Sequence, residues 1–129
     1  MMQDISHAVA HFGESLGLQD FGLGADGHAR INLRNGGAIG LEASGDALLV
    51  SRVVPAPFIA PKSVLAALQA SHVRHYAARA PVAVGLSGQG DGTALVVSCL
   101  ISHPNLGAAD IAQALDGLTS WVRAWQSSQ

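Results

Sequence analysis

Ala29-Arg30-Ile31-Asn32-Leu33, Ile39-Gly40-Leu41-Glu42 and Asp46-Ala47-Leu48-Leu49-Val50-Ser51 follow one another with Asn35-Gly36 and Gly45-Asp46 at the joins. Apolar residues alternate here at the two-residue period of a strand, and Asn and Gly accept the positive φ of hairpin turns at low cost. The stretch predicts a meander of three strands over 29–33, 38–42 and 47–54. The third is nearly continuous in apolar residues, Leu48-Leu49-Val50 and then Val53-Val54, which predicts cover on both faces: a helix on one, a second subunit or bound segment on the other. Val84-Gly85-Leu86 and Thr93-Ala94-Leu95-Val96-Val97-Ser98, joined through Asp91-Gly92, repeat the pattern as a later hairpin.

Helical patterns stand before, between and after these strands. Ile5, Val9, Phe12 and Leu16 fall at i, i+4, i+7 and i+11, a single stripe, with Asp4 placed to cap the helix and Gly17 to close it. Pro55-Ala56-Pro57 ends the meander because proline donates nothing to a ladder, and Pro61 suits the first turn of a helix carrying Val64, Leu65, Leu68 and His72. Asp110 opens a last helix whose stripe of Ile111, Leu115, Leu118, Val122 and Trp125 must be buried, with Trp121 packing beside it. The order helix, three strands, helix, two strands, helix describes one α+β domain over 1–129, a twisted, mainly antiparallel sheet with helices packed on it.

Apolar residues make up 49% of the 129 residues and charged residues only 12%, against about a quarter charged in ordinary soluble domains. A dimer interface, a binding groove for an apolar partner, or both would resolve that imbalance. The net charge of −2, with seven scattered Lys and Arg, offers no basic stripe for phosphates, so nucleic acid is not an expected partner. No apolar run of about 18 residues is present and Met1-Met2-Gln3-Asp4-Ile5 does not read as a signal peptide, so membrane insertion is not expected and a cytoplasmic location is. The lone Cys99, inside an apolar run, fits a reducing compartment and reads as a small buried hydrophobe.

No catalytic motif survives inspection. Gly22-Leu23-Gly24-Ala25-Asp26-Gly27 matches the dinucleotide-binding glycine pattern but follows a helix and opens a strand, the reverse of what that motif requires. Gly85-Leu86-Ser87-Gly88-Gln89 resembles a nucleophile elbow, yet Gln89 replaces the last glycine and a hairpin follows in place of a helix. His7 and His11, four apart, lack a third ligand and read as surface residues. His72, Arg74, His75 and Arg79 form a cationic cluster near the end of the second helix, where the helix dipole favours positive charge. No catalytic residue, metal or cofactor is expected.

Taken together, Phe12 with Leu16-Gly17-Leu18, Gly27 before the strand ending at Leu33, Ile39-Gly40-Leu41-Glu42, Asp46-Ala47-Leu48-Leu49-Val50, Leu65-Ala66-Ala67-Leu68, Val84-Gly85-Leu86 before Gly90-Asp91-Gly92, and the closing Leu115, Leu118 and Trp125 resemble the class I type III secretion chaperones, the family of the Tir and YopE chaperones. The resemblance covers nearly the whole chain. It implies a bacterial, cytoplasmic α+β homodimer that is not an enzyme. Such a dimer binds the N-terminal segment of one or a few secreted effector proteins and keeps it soluble and secretion-competent, with the secretion apparatus ATPase as a candidate further partner.

The dimer contact that the resemblance implies lies on the second helix and the strand after it, at Val64, Leu65, Leu68, Val82, Val84 and Leu86. The expected groove for the effector runs along the first helix and first three strands, lined by Val9, Phe12, Phe21, Ile31, Leu33, Ile39, Leu41 and Leu49. The alternative is a small dimeric α+β ligand-binding domain or enzyme acting on an apolar molecule. It explains the apolar excess equally well, but the carboxylates and histidines show no spacing that makes a nucleophile, base and oxyanion set.

Overall fold

The computed structural model describes residues 2–70, 82–102 and 106–129. In chain order these form α1 (Met2–Ser15), β1 (His28–Asn32), β2 (Ala38–Ser44), β3 (Ala47–Pro55), α2 (Pro61–Ala70), β4 (Ala83–Ser87), a 3-10 turn (Gly90–Gly92), β5 (Ala94–Ser102) and α3 (Ala108–Ser127). The strands make one sheet in the order β1-β2-β3-β5-β4, and every neighbouring pair is antiparallel. The expected element order is therefore observed, with β2 and β5 longer than their alternation suggests. No helix among the described residues is long and apolar enough to cross a membrane.

Two helix starts and the place of Leu16 differ from expectation, while Gly17 closes α1 as expected. Helix α1 starts at Met2, so Asp4 lies inside it and is not its cap. It ends at Ser15, and Gly17 at φ 78° closes it: the Leu18 N–H donates to the Gly13 carbonyl and the Gly17 N–H to that of Glu14, both at 2.9 Å. That is a Schellman stop, and it turns Leu16 out of the apolar stripe to 51% exposure. Helix α3 starts before Asp110, whose carboxylate accepts the Gly107 N–H at 2.8 Å from the third helical position. The cluster of His72, Arg74, His75 and Arg79 lies outside the described residues.

Register divides the sheet into two unequal faces. Ala29, Leu41, Val50 and Cys99 stand in one cross-strand row, and Ala43, Leu48 and Ile101 in another. These rows share the face against which α1 and α3 pack, and there Leu41, Leu48, Val50, Leu95 and Val97 are almost fully buried together with Ile5, Val9, Ile111 and Leu118. Each such side chain contributes about 1.5–3 kcal/mol by leaving water. The opposite face carries Gly40, Leu49, Ser51, Val53, Val96, Ser98 and Leu100, with no described helix over it. Strand β3 thus has its helix on one side, as expected; on the other, Leu49 and Val53 are half-buried among their sheet neighbours.

Trp121 and Trp125 fasten α2 to this frame. Their rings stack with centroids 6.4 Å apart; Trp121 Nε1–H donates to the Ala70 carbonyl at 3.1 Å and Trp125 Nε1–H to that of Ser63 at 3.0 Å. Both rings are nearly buried, at 3% and 7% exposure, so each needs the partner it has. In urea unfolding, Trp125→Phe is expected to lower stability by about 1 kcal/mol, the net worth of one hydrogen bond. Trp121→Ala should cost about 3–5 kcal/mol through the cavity it opens.

Candidate functional site

The eight residues expected to line a groove do not share one surface. Val9, Phe12 and Leu41 are 0%, 3% and 1% exposed and belong to the core, because α1 presses its stripe directly onto β2. They are not groove residues in this state. Leu49 points to the opposite face, since a continuous apolar run turns every second side chain away from the helices. Phe21, Ile31, Leu33 and Ile39 remain. All four are half-buried, and Phe21, Ile31 and Ile39, joined by Leu23, pack against the margin of the core at the β1 side of the sheet.

This margin is shaped by the chain between α1 and β1. Phe21 lies so close over Gly13 that a Cβ there would meet the ring at 2.6 Å. The Gly22–Gly27 run is a pair of turns: Gly24 N–H donates to the His28 carbonyl, Gly27 N–H to that of Gly24, and Ala43 N–H to that of Gly27. That last bond fixes which β1 residues pair with β2. Gly27, Ala29 and Ile31 are the bonded positions, so Arg30 and Asn32 direct their backbone N–H and C=O groups away from β2, at the outer edge of the sheet. An apolar margin and an unpaired backbone edge therefore run side by side.

The residues expected at a dimer contact, on α2 and on the edge strand β4, are mostly accessible. Leu65, Leu68 and Leu86 are 56%, 52% and 50% exposed, and Val64 and Val84 are half-buried. Val82 is the exception, buried at 6% and part of the core. Phe58, 75% exposed at a positive φ of 51°, stands beside the Gly90–Gly92 turn, where its N–H donates to the Gly90 carbonyl. Sequence reading missed Phe58; three residues past the end of the meander, it belongs to no periodic stripe.

The open face holds a shallow groove of about 300 Å³ between the exposed His28–Glu42 pair (Nδ1–Oε1 3.1 Å) and Leu49, Ser51, Val53 and Val96. Its floor is small, with Gly40 and Ala38 at the base. Cys99 sits on the covered face, 2% exposed, and burial pushes its thiol up from its ordinary pKa. His7 and His11 lie exposed on α1 with ring centroids 6.3 Å apart.

Solved structures share this architecture. A chain of the ExsC–ExsE complex superposes with a TM-score of 0.72 at 16% identity, over 98% of this chain and 94% of that one. The Yersinia pestis type III secretion chaperone SycH, solved with a stable fragment of YscM2, gives 0.65 at 12% identity, over 95% and 98%. The HopA1–SchA chaperone–effector complex gives 0.64 at 18%, over 93% and 91%. No protein-family model and no curated protein matches the chain. The α+β fold is that of the class I type III secretion chaperones.

Two measurements check the geometry. Gly13→Ala, which in a free helix would gain up to about 1 kcal/mol, should lower stability here, because overpacking against Phe21 costs about 1–3 kcal/mol. The Cys99 thiol should resist Ellman's reagent in the folded protein at pH 8 and react once urea unfolds it. Because its pKa is higher folded than unfolded, the unfolded chain loses this proton first as pH rises. The Cys99 contribution to stability is therefore constant below the unfolded pKa and falls above it.

Proposed function

We propose that the chain is a cytoplasmic type III secretion chaperone. As a homodimer it would hold the N-terminal chaperone-binding segment of one or a few effector proteins in an extended, secretion-competent form. The observation that carries this reading is the margin at β1, where half-buried apolar side chains adjoin an edge whose backbone groups face outward. An extended segment can add a strand to such an edge through its main chain and place alternate side chains against Phe21, Leu23, Ile31 and Ile39. The fold neighbours include a chaperone–effector complex and a type III secretion chaperone solved with a bound fragment, which favours binding over catalysis and leaves the small-molecule alternative without support of its own. Burial of apolar area on client folding supplies the free energy, so no nucleotide is consumed at this step. Hand-over to the secretion apparatus ATPase would follow it.

The dimer belongs to the same reading, on the exposed Leu65, Leu68 and Leu86 with Val64 and Val84 beside them. Client and second subunit would then use opposite ends of one sheet. Light scattering at micromolar concentration should give twice the chain mass, and Leu68→Asp, which would place a carboxylate in the interface, should give the monomer. A monomeric wild type removes the dimer from the proposal.

The client reading is tested by co-purification from the native cell followed by calorimetry with the captured protein's N-terminal segment. Binding should carry a negative heat-capacity change, from burial on the order of 1,000–3,000 Å². Ile31→Asp with Ile39→Asp should abolish it while the circular dichroism spectrum stays that of the folded protein. Leu41→Asp should unfold the chain, as a core position does. Undiminished client binding by the Ile31/Ile39 variant would place the client elsewhere.

A further inference from the structure

One residue of β3 breaks the apolar pattern on the covered face. Arg52 stands in the row Ile31, Ile39, Arg52, Val97, Val84, where every other member is aliphatic. Its guanidinium reaches α3 and donates from Nη1 to Thr119 Oγ1 at 2.7 Å, while its buried Nε–H has no acceptor. Beside it opens a cleft of about 270 Å³ walled by Asn35, Pro55, Thr119, Arg123 and Gln126. No Asp or Glu lines that cleft, and among the described residues neither Arg52 nor Arg123 has a carboxylate within ion-pair distance.

The electrostatics are unfavourable as they stand. Burial, and then the like charge of Arg123, lower the Arg52 pKa from its ordinary value, though an arginine remains protonated. The polar side chains lining the cleft bring mostly donors: two guanidinium groups, the NH2 groups of the Gln126 and Asn35 amides, and a Thr119 hydroxyl whose oxygen already accepts from Arg52; the Gln126 carbonyl oxygen is the one further acceptor among them. The Asn35 carbonyl oxygen is engaged by the Gly37 N–H at 3.0 Å, which leaves its NH2 group to donate. A planar, bidentate anion matches the guanidinium geometry and relieves the repulsion between the arginines.

We infer that Arg52, Arg123 and Thr119 form a carboxylate-binding site, and that the carboxylate is the side chain of an Asp or Glu in the bound protein segment. The second half of this inference rests on the chaperone reading. Ile39 pairs directly with Arg52, and Ile31 lies one strand further out, so at 4.7–4.9 Å per strand the apolar margin and the cleft are about 10 Å apart. Three residues of extended chain span that distance. A segment anchored by an apolar side chain on Ile31 and Ile39 can therefore reach the cleft with an acidic residue.

The test follows the arginine Nε–Hε resonances of the full chain by nitrogen-15 NMR while acetate replaces chloride at constant ionic strength. Arg52 and Arg123 should shift and saturate, whereas the exposed Arg30 and Arg34 should not. Arg123→Gln, a surface change that spares the fold, should weaken acetate binding about tenfold or more, the worth of a charged hydrogen bond. Arg52→Gln should abolish it, with thermal melting to confirm folding. Equal, unsaturating shifts of all arginines would overturn the site whether or not the chain is a chaperone. Saturation by inorganic phosphate but not by acetate would overturn the carboxylate assignment. A peptide with Leu at two alternate positions and Glu three residues beyond should bind more tightly than acetate and lose at least tenfold when Glu becomes Gln. Binding of the two peptides with equal affinity, while acetate still saturates Arg52, would overturn the assignment to a protein segment and leave a site for a free small anion.

Discussion

The structure depends on the seating of α3 on β3 and β5. Ile111 and Leu118 are fully buried there, and Leu115, Trp121, Val122 and Trp125 extend the contact along the helix. The same helix holds α1 on one side and, through two indole N–H groups, α2 on the other. Without it the sheet has no cover over its centre, and a twisted sheet with both faces wet is not stable. A helix sits over the middle of a five-stranded sheet, however, and cannot shield its margins. The apolar edge at β1 and the exposed Leu86 on β4 are geometric consequences of having one long helix do most of the covering.

That geometry also accounts for the composition. A chain with 12% charged residues cannot clothe its surface in charge, and the structure concentrates the deficit at the two ends of the sheet and on its open face. Apolar area collected in this way marks interaction surfaces. The two edges are not equivalent. Strand β1 presents Arg30 and Asn32 outward beside half-buried isoleucines, suiting an extended polar-backboned guest. Edge strand β4 instead presents an exposed Leu86, and α2 presents Leu65 and Leu68.

The strands were legible in the sequence because alternation and glycine turns are local signals. All five appear where the pattern places them, and the helix order follows from two long apolar stripes and one proline. Sidedness was not legible. Leu48-Leu49-Val50 carries no period of its own, so the sequence could not say that Leu48 and Val50 face α3 while Leu49 faces away; only the register of β3 against β2 and β5 decides it. Core and sheet margin were inseparable in the sequence for the same reason. Val9, Phe12 and Leu41 are as apolar as Ile31 and Ile39, and the difference lies in how far α1 reaches across the sheet. Leu16 fits the helical period but falls past a Schellman stop, which overrides periodicity.

Arg52 is where pattern and structure disagree in an informative way. Leu48, Val50, Arg52 and Val54 occupy the same face of β3, so the charge was visible as a break in the inward set once that set was known. A conformation chosen for stability alone would place an aliphatic residue there, since replacing a half-buried, unpaired cation by a well-packed apolar side chain is commonly neutral or stabilising. Thr119 supplies one acceptor and Arg123 adds repulsion, so the fold contains a donor cluster oriented by packing and left electrically incomplete. Local rules are broken most often where a protein binds or reacts. Here the break adjoins the apolar margin, so a single extended guest can satisfy both deficits, apolar and electrostatic, at once.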